Sequence, residues 1–339
     1  DSLALFVDGI SNTDSIMSQI NSSTLRLENA LIHGVHNIAI VAIDSAGNVS
    51  DTSNTVSITV DLEDPDAPTG VDLKDDSDTG LSISDDKTND VTPEFTFSGV
   101  TSTDSVFIVT TQDSNTDTVG SGLASSTSID MTTSDLSVVP ISYNDGSITI
   151  KGYAMDIAGN TSDISASASL IITLDTSEPT APTSVVLQSG SDSGISTTDR
   201  LTNDTTPTFT IEGVTSTDSV LLIIDGLTAS SGIASSTSID LNISSVLTDG
   251  SYTVSTQTID VAGNISTATV SDTLLRIDTQ APSKPSAPDL QASSDSGFLD
   301  TDNVTNITTP VFNLTGLSST IDSLALFVDG ISNTDSIMS

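Results

Sequence analysis

Residues 1–18, DSLALFVDGISNTDSIMS, recur without change as residues 322–339, so the chain repeats with a period of 321 residues. A shorter period lies inside it. The pentapeptides DSAGN (44–48), DIAGN (156–160) and DVAGN (260–264) are spaced by 112 and 104 residues, and a further step of 105 closes the long period. Three domains of about one hundred residues therefore make one long repeat. Other landmarks keep the same order. TNDVTPEFTFSGVTSTDSV (88–106) aligns with TNDTTPTFTIEGVTSTDSV (202–220), and SGLASSTSID (121–130) with SGIASSTSID (231–240).

The joints between repeats are proline-rich and begin with Asp: DLEDPDAP (61–68), DTSEPTAP (175–182) and DTQAPSKPSAP (278–288). Proline fixes φ and removes a donor, so these joints are expected to be extended and stiff. They divide the chain into 1–60, the C-terminal part of a domain; 61–174 and 175–277, two complete domains; and 278–339, the N-terminal part of a domain whose copy ends in 1–60. Neither end segment has enough chain to bury a sandwich core alone. The ends reflect either the division of a longer array or a tail that completes the next molecule's head. The domain at 61–174 is longer than its neighbour through insertions near 110–120 and 132–145, expected to be loops.

Within 175–277, the segments 184–188, 206–214, 219–225, 237–243, 251–260 and 266–277 alternate apolar and polar residues between clusters of Gly, Asp, Asn and Ser. This spacing predicts an all-β array of two-sheet, immunoglobulin-like sandwiches. With aromatics at 3% and no Trp or Cys, each core must be thin and built from Val, Ile, Leu and a few Phe. The lack of Cys excludes a disulfide framework and thiolate chemistry.

Charge is the most unusual quantity. Asp and Glu total 46 against 7 Lys and Arg, for a net charge of -39, and only five of the acids are Glu. Asp in such excess points to turns and to hard-cation sites built from oxygen. Nucleic acid and anionic membranes are disfavoured as partners, and no apolar run is long enough to span a bilayer.

In an immunoglobulin-like sandwich, the loop joining the first two strands lies at the end where the chain leaves the domain. It thus faces the linker and the last hairpin loop of the next domain. All three are rich in Asp. The A–B loops SDTGLSISDDKTN (77–89), SDSGISTTDRLTN (191–203) and SDSGFLDTDNVTN (294–306) repeat one aspartate at Asp78, Asp192 and Asp295 and another at Asp85, Asp199 and Asp302. The linkers contribute Asp61, Asp64, Asp175 and Asp278, and the F–G loops Asp44, Asp156 and Asp260; the B–C loops add Asp104, Asp218 and Asp322. Calcium takes six to eight oxygens, and several carboxylates converging on one joint repel each other unless a cation sits between them. The expectation is calcium at the joints, stiffening them. No EF-hand loop or glycine-rich calcium nonapeptide is present.

With those residues laid out, the chain resembles the bacterial Ig-like repeats of giant surface adhesins and biofilm-associated proteins. The matching signature is the Asp-Thr…Pro joint, then SDSG, TN-x-TPTF and D-x-AGN, across 61–277 and both end segments. The resemblance implies a long extracellular stalk at a bacterial cell surface, with calcium held at its junctions by the linker, A–B and F–G aspartates. The joint at 61–68 departs from the pattern, having Leu62 where Thr is usual and a further acid at Asp64, so the ligand there is either Asp61 or Asp64.

Blander readings stand beside this one. Each DxAGN or SDSG loop is also a good turn, with Asp bonding nearby backbone. His33 and His36 are the only histidines, so two of the three domains contain none and a repeated catalytic triad is impossible. Paired acids such as Asp75 and Asp76, or Asp85 and Asp86, lack any aromatic substrate platform for hydrolysis. The leading reading is a calcium-rigidified structural extender, not an enzyme, whose partners are neighbouring repeats or head-to-tail copies. A host or matrix surface would be met through other regions. Two alternatives stay open: a self-assembling fibre subunit whose split end domains complete each other between molecules, and a ligand-binding adhesion module.

Overall fold

The computed structural model describes residues 2–18, 27, 29–138, 143–317 and 324–338. They form strands, turns and coil, with one short 3-10 turn at Ile164–Ala166. The chain divides into two compact units, Asp1–Pro179 with Ile259–Ile265, and Thr180–Thr258 with Ser266–Ser339.

The first unit holds a complete sandwich. One sheet has the order Ser128–Thr132, Glu94–Ser98, Gly70–Leu73. The other runs Lys87–Thr88, Ser169–Leu174, Gly146–Met155, Ser105–Gln112, Asn115–Leu123. Alternation decides which side chains meet: Phe95 and Phe97 point inward from the first sheet and Val106, Ile108, Ile148, Ile150, Ile172 and Leu174 from the second. A separate four-stranded sheet, Ile10–Ser18, Ser2–Val7, Gly34–Ile43, Val56–Val60, precedes it.

The second unit repeats the scheme. Phe209, Ile211 and Leu241 pack with Val220, Leu222, Val254, Leu275 and Ile277. Beyond residue 278, the strands among the described residues form two-stranded pairs, Asp289–Leu290 with Phe312–Asn313 and Leu324–Val328 with Ile331–Met338.

Immunoglobulin-like sandwiches are therefore what the alternating pattern builds, with local differences. The strand expected over 251–260 is interrupted at Thr253, because the Asp225 carboxylate takes its N–H at 2.7 Å and its hydroxyl proton at 2.8 Å. The strand expected over 266–277 is two short pieces, Thr269–Val270 and Leu275–Ile277, in different sheets. The insertion near 110–120 is a correction: it lengthens the hairpin Ser105–Gln112 with Asn115–Leu123 instead of forming a loop. Extra residues there gain ladder hydrogen bonds at a sheet edge. Of the second insertion, residues 139–142 lie outside the described residues.

The A–B loops are not free coil either. Lys87–Thr88 runs parallel to Ser169–Leu174, and Leu201–Thr202 parallel to Leu275–Ile277. The loops at 77–89 and 191–203 are thus each tied to the last strand of their own domain, next to the linker that follows.

Candidate functional site

Each A–B loop is built on one aspartate turned inward. Asp78, Asp192 and Asp295 are 2%, 2% and 5% exposed. In each, Oδ2 accepts one backbone N–H eight residues on: from Asp86 at 3.2 Å, from Arg200 at 3.2 Å and from Asn303 at 3.0 Å. Those donors sit in the left-handed region, at φ 57°, 60° and 58°, an unusual state for residues other than glycine. The other oxygen, Oδ1, is buried with no hydrogen-bond partner in all three loops. Buried polar atoms are nearly always paired, so the same orphan repeated three times needs a physical explanation.

The rest of the SDxG…TN motif is self-bonding. The hydroxyls of Thr79, Ser193 and Ser296 accept the N–H of Asn89, Asn203 and Asn306 at 2.9, 2.8 and 3.0 Å. They donate to the same residues' Oδ1 at 3.0, 2.8 and 2.7 Å. The second aspartates lie at the surface. Asp199 and Asp302 accept the N–H two residues on, at 3.1 Å each, while Asp85 pairs with Lys87 at 3.2 Å.

The F–G aspartates close turns. Oδ1 of Asp44, Asp156 and Asp260 accepts the N–H of Asn48, Asn160 and Asn264 at 2.8, 2.9 and 2.9 Å. Oδ2 accepts from the same Asn side chains at 2.7, 2.8 and 3.0 Å. The Asn side-chain donors hold the carboxyls of Asp44 and Asp156 below the usual carboxylate range. These Asn side chains also reach the linkers: Asn160 donates to the Asp61 carbonyl at 3.2 Å, and Asn264 to the Asp175 carbonyl at 2.9 Å.

The linker aspartates Asp61, Asp175 and Asp278 each accept the N–H two residues on, at 3.1, 3.1 and 3.0 Å. The N–H groups of Asp175 and Asp278 donate to Thr88 and Thr202, at 2.9 and 3.0 Å. Asp64 is exposed. Asp61 also lies 3.4 Å from His33 Nδ1, and that nitrogen accepts the Leu62 N–H at 3.2 Å.

Within the first unit, three Asp-bearing segments therefore come together: the 77–89 loop, the Asp175 linker and the DVAGN loop. Thr79 Oγ1 lies 2.6 Å from the Ala262 carbonyl oxygen, and its one proton is shared between that oxygen and Asn89 Oδ1. Gly80, at φ 97°, lies so close that a Cβ there would stand 2.2 Å from the Val261 carbonyl oxygen. Only glycine allows this approach.

The B–C loop aspartates are the further residues of note. Asp104 and Asp218 are buried, and the residues before them, Thr103 and Thr217, stand at φ 87° and 86°. A β-branched residue in that region is strained, and the same strain in two domains holds the following Asp inward. Asp104 Oδ2 has no partner. Its carboxyl is pushed up, first by burial and then by the nearby charge of Asp156. Asp86 is pushed up likewise, by burial and by Asp78, Asp72 and Asp85. Asp322 lies outside the described residues.

Among the described residues, no three His, Asp or Glu side chains gather closely enough to hold a metal by themselves. What the loops offer is a buried carboxylate oxygen without a donor, with the acid Asp86 near Asp78. That donor set, all oxygen, fits a hard divalent cation such as calcium and does not fit zinc or copper. The signal for the orphan oxygens was the recurrent SD at 77–78, 191–192 and 294–295, whereas the strained Thr before Asp104 has no signature beyond the shared TSTD.

Among solved structures, the fold is similar to the FN1–FN3 domains of chicken CNTN1, at 12% identity and a TM-score of 0.40, over 81% of this chain and 88% of that one. It is also similar to a Ca2+-stabilised adhesin of an Antarctic bacterium that binds ice, at 16% identity and a TM-score of 0.34, over 84% and 67%. A 1.5-MDa bacterial ice-binding adhesin matches at 16% identity and a TM-score of 0.28, over 82% and 86%. No curated protein matches the chain at a significant level. The family model for bacterial Ig-like domains matches residues 66–176, 179–279 and 281–338, and the chain belongs to that family as a tandem array.

Proposed function

We propose that the chain is a structural extender of a bacterial cell-surface adhesin or extracellular filament, stiffened by calcium at its domain joints. The single observation that carries the reading is the thrice-repeated buried aspartate with one unpartnered oxygen, at Asp78, Asp192 and Asp295. A carboxylate oxygen enclosed without a donor is costly. A cation bound at Oδ1 removes that cost and draws in the carbonyls and acids of the adjoining loop and linker. The residues assigned to hold it are Asp78, Asp85, Asp175 and Asp260 at one joint and Asp192, Asp199 and Asp278 at the next. Asp61 or Asp64 and Asp156 serve the first joint, and Asp44, Asp295 and Asp302 are the counterparts in the end segments. Such joints resist bending when loaded with calcium and flex without it, which is what a spacer holding a distant binding module away from a cell requires. The role is mechanical, not catalytic.

The test is thermal unfolding in EDTA, calcium and magnesium at constant ionic strength. Calcium should raise Tm well beyond magnesium, and the triple variant Asp78→Asn, Asp192→Asn, Asp295→Asn should lose most of that gain. Superimposable curves in EDTA and calcium sink the reading.

A further inference from the structure

Within the A–B loop of each complete domain, the chain crosses to another sheet and makes a short parallel pair with the last strand. In the domain at 61–174, Lys87 stands opposite Thr173 and Thr88 opposite Leu174. The Thr173 N–H donates to the Asp86 carbonyl at 2.8 Å, and the Asp175 N–H to the Thr88 carbonyl at 2.9 Å. The domain at 175–277 repeats the arrangement, with Leu201 opposite Arg276 and Thr202 opposite Ile277. There the Arg276 N–H donates to the Arg200 carbonyl at 2.9 Å, and the Asp278 N–H to the Thr202 carbonyl at 3.0 Å.

The pair is braced on both flanks. The residue before it, Asp86 or Arg200, donates its N–H to the buried carboxylate of Asp78 or Asp192. The residue after it, Asn89 or Asn203, donates its N–H to the hydroxyl of Thr79 or Ser193. Both anchors lie between the first strand and the pair. A load arriving at residues 78–79 therefore reaches both sides of Lys87–Thr88 before the loop can straighten, and a load at 192–193 does the same for Leu201–Thr202.

In a tandem array under tension, the pull enters a domain through its first strand and leaves through its last. The first strands are short, Gly70–Leu73 on Glu94–Ser98 and Ser184–Leu187 on Thr208–Glu212, so the braced loop is next in line. Lys87–Thr88 and Ser169–Leu174 run the same way. A pull on the N-terminal side of the one and the C-terminal side of the other slides them past each other. Their hydrogen bonds are then loaded together, in shear, instead of opening one after another.

We propose that this parallel pair is a shear clamp that sets the force at which each domain opens, with the SDxG…TN loop as its clasp. The proposal rests on the extender reading for its source of tension, and it needs no metal. Forced unfolding is governed by the rate of unfolding, not by equilibrium stability, so clamp and core are separable by experiment.

The test is to stretch the full chain between its ends in EDTA with optical tweezers. The domain at 61–174 is the longer and releases more chain on opening, so each event is assignable and the unaltered domain is the reference within the same molecule. Arg276→Pro removes the donor to Arg200, and the Arg276 side chain is exposed. Ser193→Ala removes the brace on Asn203. Each should lower the opening force of 175–277 and leave that of 61–174 as it was; Thr173→Pro should do the reverse. Leu241→Ala, which takes a buried side chain from the core, should lower the melting temperature of 175–277 more than Ser193→Ala does, and its opening force less. Should Arg276→Pro prevent folding, Ser193→Ala decides. An unchanged force in Ser193→Ala, or forces that simply follow melting temperature across the variants, overturns the clamp. Every measurement is made without calcium, so a failed clamp leaves the calcium-stiffened joints standing, and superimposable melting curves in EDTA and calcium leave the clamp standing.

Discussion

Asp104 is the residue at which electrostatics and burial conflict most openly. It is enclosed, one oxygen lacks a donor, and Asp156 repels it. Replacing it with Asn removes the charge and keeps the shape, so Asp104→Asn should raise Tm in EDTA and shrink the rise produced by calcium. A variant that melts lower than the parent in both buffers contradicts this account. His36 gives the opposite sign. It is buried, hydrogen-bonded to the Ile32 carbonyl at 2.9 Å and paired with Asp8, and the carbonyl and then the carboxylate raise its pKa. A His whose folded pKa is raised contributes stability fully below its unfolded pKa of about 6.5 and loses it as pH rises through the folded value. Stability should therefore decline on going from about pH 6 into the alkaline range. His36→Gln should flatten that slope in urea titrations at a series of pH values. The two loops in front of the joints also differ in the charge beside the buried aspartate. Asp192 has Arg200 nearby, whereas Asp78 has Asp86. Calcium should accordingly fill the 77–89 loop before the 191–203 loop, a difference readable from calorimetric titration of Asp78→Asn against Asp192→Asn.

At the level of elements, the hairpins are set by Asp-Gly turns. Asp8–Gly9, Asp225–Gly226 and Asp329–Gly330 all have both residues at positive φ, the type I′ geometry that suits strand twist. Gly226→Ala should cost about 1–2 kcal/mol, the left-handed penalty of an L-residue, measured by chemical denaturation. Thr217→Gly should behave differently. It relieves the φ of 86° while loosening the unfolded chain, so it should be close to neutral or stabilising. The core sets the larger scale, since Phe209 is fully enclosed by both sheets. Phe209→Ala should cost about 3–5 kcal/mol. The Asp-Gly dipeptides were a legible hairpin signal at all three places, and the strand Leu227–Ile233 that follows one of them was hidden only by its poor alternation, LTASSGI. The insertion at 110–120 misled for a related reason. Added length reads equally well as loop or as longer hairpin until a partner strand is seen.

For the whole molecule, a net charge of -39 means that the domains repel one another over about a Debye length, roughly 8–10 Å at ordinary ionic strength. Screening by monovalent salt weakens this repulsion everywhere, whereas a site-bound divalent ion acts only where oxygens converge. Small-angle scattering should therefore show a narrower distribution of shapes in calcium than in EDTA, with sodium chloride of equal ionic strength unable to reproduce the change. Equal scattering in the two buffers is the outcome that contradicts stiffened joints.

Periodicity was enough to establish the array and its sandwich class, because a strand's side chains alternate with a period of two wherever they lie in space. DSAGN, DIAGN and DVAGN likewise announced three equivalent turns. Which aspartates accept hydrogen bonds at both oxygens and which leave one oxygen wanting a partner was invisible in the text. Asp156 and Asp78 look alike as letters, yet the first has its oxygens occupied by Asn160 and the second holds one oxygen in the dark. Hydrogen-bond satisfaction depends on where distant backbone N–H groups fall, and that is a property of the folded loops rather than of residue order.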